Sequence, residues 1–197
     1  MINTIEQLDL SKQYSYADYL TWQFAERIEL LKGYIKKMAA PNVYHQKISR
    51  ELALSIGTYL RKSPCQLFLA PFDVRLYNRK KSELEAKDVF TVVQPDLCVV
   101  CDKEKLDTRG CNGSPDFIVE IISPSSSKID LQDKFALYQE TGVVEYWVVF
   151  PMDKLIQQFV LVNEKYELHA VYNDKDTATS FLFPELNVNL EDVFEEI

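Results

Sequence analysis

One acidic residue stands inside an otherwise apolar run, Phe117-Ile118-Val119-Glu120-Ile121-Ile122. A run that is apolar on both faces belongs in the middle of a sheet. An unpaired carboxylate buried there would cost roughly several kcal/mol unless a cation or hydrogen-bond donors satisfied it. A second carboxylate, Asp96, follows Gln94-Pro95 at the start of the preceding strand-like run, Leu97 to Cys101. If the two runs pair antiparallel about a connection from Asp102 to Ser114, Asp96 falls opposite Glu120. Carboxylates that close repel, and one is driven toward protonation unless a cation lies between them. A hard divalent ion, Mg²⁺ or Mn²⁺, suits such oxygen ligands, and a water acidified by it could attack phosphorus in line.

A nearby ammonium would orient that water or offset charge developing on the phosphate, and Lys134 is the candidate. Asp130, Lys134 and Tyr138 are spaced to form one ridge of the helix after Glu120, expected to be exposed beside a buried stripe of Leu131, Phe135 and Tyr138. Spacing alone favours the plainer alternative, a surface ion pair between Asp130 and Lys134. Pro115-Asp116 competes with Pro95-Asp96 for the metal role. Asp116 shares strand parity with Glu120 but lies about 13 Å from it along a strand, too far to share one ion. His45, at the start of a helix, could contact a phosphate, although such a residue is more often an ordinary surface histidine. Asp73 and Arg75 share a strand face and read as a pair of ordinary strand residues, and Tyr146 and Trp147 read as core.

The elements that position these groups follow from periodicity. Ser15 caps a short amphipathic helix, Tyr16 to Phe24. A hairpin is expected from Ile28 to Lys32 and from Tyr34 to Met38, turning at Gly33. Ile48, Leu52, Ile56 and Tyr59 form the stripe of a first long helix, Tyr44 to Leu60. Strands are expected at Gln66 to Leu76 and Val89 to Cys101, separated by a solvated loop from Asn78 to Asp88, and then at Asp116 to Ile122. Ser123-Pro124-Ser125-Ser126-Ser127 stops that strand and caps a second long helix, Lys128 to Glu140, which Gly142 ends. Val144 to Phe150, Leu155 to Val162 and Tyr166 to Tyr172 read as strands, followed by further strands and an acidic tail. The pattern implies one α/β domain spanning residues 1–197, a mixed β-sheet flanked by α-helices.

Composition narrows the function classes. Hydrophobic residues make up 47% and charged residues 26% of the 197 residues, an ordinary globular balance. Nothing resembles a leader peptide or a membrane span, so a cytoplasmic protein is expected. The net charge of −8 makes a poor general polyelectrolyte binder, so nucleic-acid contact would need a local basic face or a bound metal ion. Cys98 and Cys101 have CxxC spacing, but in a strand they point to opposite faces and cannot share a tetrahedral zinc. Free buried thiols are the expectation for all four cysteines. No glycine-rich phosphate loop or dinucleotide fingerprint is present.

Four ordered segments carry a resemblance: Arg27 to Gly33, Val93 to Leu97, Pro115 to Ser125 and Gly142 to Trp147. Together they resemble the Uma-two family, described as "putative restriction endonucleases", within the PD-(D/E)xK nuclease superfamily, over about Tyr16 to Tyr172. The resemblance implies a restriction-endonuclease-like fold and Mg²⁺-dependent, or Mn²⁺-dependent, hydrolysis of DNA. The metal would be held by Asp96, Glu120 and the backbone carbonyl of Ile121, with Glu29 matching the acidic residue that the superfamily often supplies early in the chain. Ile122 stands where the superfamily motif has lysine, and the resemblance makes Lys134, on the following helix, the matching position. By analogy with enzymes that cut both strands, a homodimer is expected. The missing motif lysine also keeps open a catalytically inactive module that binds nucleic acid or a protein partner, and a hydrolase of small phosphate esters is a third alternative.

Overall fold

The computed structural model describes residues 2–77, 88–123 and 129–195, excepting the side chains of residues 129 and 130. In chain order the elements are α1 (Tyr16–Tyr19), β1 (Ile28–Leu31), β2 (Tyr34–Lys37), α2 (Val43–Leu60), β3 (Gln66–Leu69), β4 (Val74–Arg75), β5 (Val92–Val93) and β6 (Leu97–Val100). There follow β7 (Leu106–Asp107), β8 (Gly110–Asn112), β9 (Phe117–Ile121), α3 (Ile129–Thr141), β10 (Glu145–Phe150), β11 (Leu155–Val162), β12 (Lys165–Asn173), β13 (Thr177–Thr179), β14 (Asn187–Asn189) and α4 (Leu190–Val193). This is the expected mixed α/β architecture. The central sheet has the order β12-β11-β10-β9-β6-β3, a second sheet runs β2-β1-β5-β4-β8-β7, and β13 pairs with β14.

β9 lies inside the central sheet, parallel to β10 and antiparallel to β6, and all five of its residues are buried. Its alternation divides two cores. Phe117, Val119 and Ile121 pack with Ile48, Leu52 and Ile56 of α2 and with Leu190, Val193 and Phe194 at the C-terminal end. The final segment, expected as further strands and an acidic tail, supplies β13, β14 and α4 and completes this core. Ile118 faces the other way, toward Leu137 and Tyr138 of α3 and toward Leu31, Val74 and Val93 of the second sheet. Glu120 shares that second face, so β1 and α3 are the elements able to reach it.

Several expected elements are shorter or broken. The strand foreseen from Gln66 to Leu76 divides into β3 and β4, in different sheets, with a cis Ala70-Pro71 peptide between them. The run from Val89 to Cys101 divides at Gln94-Pro95, where proline has no N–H to give a ladder. Ser15 does cap the first helix, with Asp18 completing the capping box, but that helix spans only Tyr16–Tyr19. The hairpin of β1 and β2 turns as expected through Lys32 and Gly33, both at positive φ. The foreseen loop from Asn78 to Asp88 lies outside the described residues except at Asp88, as do residues 124–128 of the foreseen helix cap.

The cysteines correct an expectation. Cys65 and Cys101 are joined in a disulfide that links the ends of β3 and β6, while Cys98 and Cys111 are free and buried. Cys98 and Cys101 do face opposite cores. Among the described residues no helix is long and apolar enough to cross a membrane.

Candidate functional site

The register of β6 against β9 pairs Leu97 with Val119, Cys98 with Ile118 and Val99 with Phe117. Continued by one residue, it sets Asp96 opposite Glu120, the arrangement expected from the sequence. Glu29, Asp96, Glu120, Ile121 and Lys134 all line one cleft of about 270 Å³, together with His45. Pro115-Asp116 takes no part in it. Asp116 instead accepts the Cys101 backbone N–H at 2.8 Å and serves the sheet.

Lys134 corrects the sequence reading. The ridge expected to be exposed is buried at Lys134, only 8% exposed, while Tyr138, also expected in the buried stripe, is wholly enclosed. α3 turns this face toward β9 and β1, and Leu131 and Phe135 are only partly buried. The lysine Nζ lies 3.0 Å from Glu120 Oε1 and 3.0 Å from Glu29 Oε1. A buried pair with two carboxylates thus takes the place of the surface pair that helical spacing favours; the side chain of Asp130 lies outside the described residues.

Each carboxylate is held by further donors. Tyr138 donates to Glu120 Oε1 at 2.7 Å, and the Gln94 backbone N–H donates to Glu29 Oε1 at 2.8 Å. The Ile121 N–H donates to Asp96 Oδ2 at 2.8 Å, and His45 Nε2 lies 3.1 Å from Asp96 Oδ1. His45 is thus brought to the site, and the expected surface role is corrected. Gln94 also links the cleft to Asp73: its side chain accepts from Arg27 and donates to Asp73, which Tyr16 and Tyr19 also contact. Asp73 and Arg75 accordingly have separate partners, since Arg75 pairs with Asp107.

Two carboxyl groups, of Glu120 and Glu29, share the Lys134 ammonium, and Asp96 lies opposite Glu120. Burial pushes the Glu120 carboxyl up to about 7; Lys134 opposes this, while Asp96 and Glu29 reinforce it. Burial alone would lower the Lys134 ammonium, but Glu120 and Glu29 hold it well above its usual range. The Tyr138 hydroxyl is also raised, by burial and then by Glu120. Arg27, Lys36 and Lys37 line the same cleft and add positive charge beside Lys134.

The donor chemistry decides what the site could hold. Among the described residues no three His, Cys, Asp or Glu side chains converge into a metal cage. Mg²⁺ does not need one, because it commonly binds through one or two carboxylates and keeps several waters. Both described bonds to Glu120 and both to Glu29 use Oε1, leaving Oε2 of each without a hydrogen bond among the described residues. Asp96 accepts the Ile121 N–H on Oδ2, with His45 Nε2 3.1 Å from Oδ1, and both oxygens keep further lone pairs. The residues present therefore fit a hard cation held by Asp96, Glu120 and the Ile121 carbonyl.

Residues 16–191 match the Uma2 family, described as "Putative restriction endonuclease". The chain belongs to this family. The uncharacterized protein slr1290 of Synechocystis is 24% identical over 134 residues, 67% of this chain and 65% of that protein, so the match spans less than two thirds of its length. The crystal structure of a "putative nuclease belonging to DUF820" from Anabaena variabilis superposes with a TM-score of 0.70 at 17% identity, covering 92% of this chain and 97% of that one. The likeness establishes a shared fold.

Sequence reasoning missed Tyr138 as the direct partner of Glu120 and Gln94 as the backbone donor to Glu29. A signal for the tyrosine was present, since it stands one helical turn beyond Lys134.

Proposed function

We propose that this chain is a Mg²⁺-dependent endonuclease that hydrolyses phosphodiester bonds in DNA, with Mn²⁺ able to replace Mg²⁺. The observation that carries this reading is the convergence of Asp96, Glu120 and Lys134 on one cleft. Membership of the Uma2 family supports the reaction class.

Asp96, Glu120 and the carbonyl of Ile121 would hold the ion. When bound, such an ion supplies an acidified water and positive charge against the phosphate. Glu29 shares Lys134 with Glu120, so it anchors the ammonium from β1 while the lysine reaches from α3. Lys134 has three N–H donors, two of them committed to these carboxylates, and the third can orient a water or a phosphate oxygen. Tyr138 holds Glu120 by the same oxygen as Lys134, which leaves Oε2 for the ion.

Lys134 already supplies a cation between two carboxylates, and this favours a second reading: a nuclease-fold module without catalysis, binding nucleic acid or a protein partner. One experiment separates the two. Supercoiled and single-stranded DNA are incubated with wild type, Glu120→Gln and Lys134→Ala in Mg²⁺, Mn²⁺ or EDTA. Cleavage that requires metal and falls at least about 100-fold in both variants supports the nuclease. Cleavage unchanged in Glu120→Gln overturns it, and no wild-type cleavage together with no Mn²⁺ binding by calorimetry favours the module.

A further inference from the structure

We propose that His45 is a positioning residue for Asp96, setting the carboxylate in the orientation that receives a divalent cation. The inference rests on the metal reading of Asp96 given above, and it assigns a role to a residue outside the ligand set. His45 belongs to the first turn of α2, where Asn42 caps the helix by accepting the His45 backbone N–H at 2.9 Å. This cap fixes the turn, and the imidazole then reaches Asp96 Oδ1 at 3.1 Å. Both side chains are largely enclosed, 14% and 16% exposed, and both line the cleft.

Three contacts immobilise Asp96. The Ala70 N–H donates to its backbone carbonyl at 3.1 Å, the Ile121 N–H donates to Oδ2, and His45 Nε2 packs against Oδ1 at 3.1 Å. The carboxylate plane is then defined at both oxygens by donors from β9 and α2, while each oxygen retains a lone pair for the cleft. Without the imidazole, Asp96 would keep one side-chain anchor and could rotate about it.

The ring's other nitrogen specifies the tautomer. Nδ1 is buried and has no hydrogen-bond partner among the described residues. With no acceptor for Nδ1 among the described residues, a proton on Nε2 gives the ring a donor toward Asp96, whereas a proton on Nδ1 alone would turn a lone pair toward the carboxylate. His45 therefore acts as an Nε2–H donor, a role that an amide N–H of similar reach can copy. Partners that orient metal ligands typically contribute ten- to a hundredfold to metal affinity.

The test is Mn²⁺ titration by calorimetry of wild type, His45→Ala, His45→Gln and Asp96→Ala, with thermal unfolding followed on each. Wild type should bind, Asp96→Ala should not, His45→Ala should bind about 10-fold or more weakly, and His45→Gln should regain most of the loss. Wild-type affinity in a folded His45→Ala chain overturns the proposal. Nitrogen-15 NMR of the metal-free protein reads the contact independently. An Nε2–H tautomer that Asp96→Ala disturbs supports it, and an Nδ1–H tautomer overturns it. Should wild type bind no Mn²⁺, the metal reading of Asp96 fails and the positioning role with it, even where NMR finds the contact intact.

Discussion

The ammonium of Lys134 lies 3.0 Å from Glu120 Oε1, and both residues are buried although one comes from α3 and the other from the middle of the central sheet. The same nitrogen reaches Glu29 on β1, in the second sheet. One side chain thus compensates two buried carboxyls and ties three elements together. Lys134→Ala should destabilise the chain by about 3–5 kcal/mol, because it leaves those carboxyls buried without their cation. Urea denaturation checks the magnitude. A Glu29→Gln, Glu120→Gln, Lys134→Met chain should recover much of that loss, since neutral groups need no counter-charge, while remaining inactive. A loss of only a few tenths of a kcal/mol on Lys134→Ala would indicate a solvated lysine.

A pH dependence follows from Glu120. Burial moves its carboxyl from 4.5 to about 7, so between those values the folded chain holds a proton that the unfolded chain has released. Proton binding then favours folding, and this contribution is fully present below about pH 4.5 and lost as pH rises through about 7. Glu120→Gln cannot titrate. The stability of wild type relative to that variant, measured without metal, should therefore decline by on the order of 1–3 kcal/mol from about pH 4.5 to pH 7.5. Parallel pH profiles for the two chains would show that burial does not shift this carboxyl.

The sequence made some of this site legible and concealed the rest for physical reasons. Glu120 stands out because an acid inside an apolar strand must find a partner, and Asp96 follows from the strand register that the structure displays. Lys134 could not be placed by helical spacing, because the side of α3 that is buried depends on how it packs against β1 and β9. Periodicity named that residue but favoured a surface pair for it, and the resemblance to a nuclease family favoured the site. The strand breaks at Pro71 and Pro95 were readable in principle, but continuous apolar runs on both sides obscured them. His45 and Gln94 reach the site through tertiary contacts that no local pattern encodes.

Glu145 shows the limit of that same signal. It too is an acid in an apolar strand, wholly buried, yet hydrogen-bond donors satisfy it without a cation. Trp147 and Gln158 donate to Oε1 at 2.7 Å, as does the Phe181 N–H at 3.0 Å, while Ser180 and the Leu182 N–H donate to Oε2. This carboxylate fastens the segment after β13 onto β10. Glu145→Ala should cost about 3–5 kcal/mol of stability by leaving several buried donors unpaired. Cleavage per folded molecule should be unchanged, because Glu145 is not among the cleft residues. A thermal melt and a nuclease assay on the same sample check both parts, and activity lost in a chain of normal stability would place Glu145 in the chemistry.

Tyr138 offers a finer test, because among the described residues its hydroxyl bonds to Glu120 and to no other group of the site. Its hydroxyl donates to the carboxylate at 2.7 Å and so favours the ionised form, opposing the upward push of burial. Tyr138→Phe removes that donor while keeping the ring that packs against Tyr146. The Glu120 carboxyl should rise further, and since a cation competes with the proton for it, the acid limb of metal-dependent cleavage should move to higher pH. The maximal rate at alkaline pH should fall much less than in Lys134→Ala, because the ammonium and both carboxylates proposed to hold the ion remain. A pH–rate profile in saturating Mg²⁺ distinguishes the outcomes. An acid limb that stays in place would show that the hydroxyl contributes packing without tuning the carboxylate, and an equal loss of rate at every pH would mean that it acts on the substrate directly.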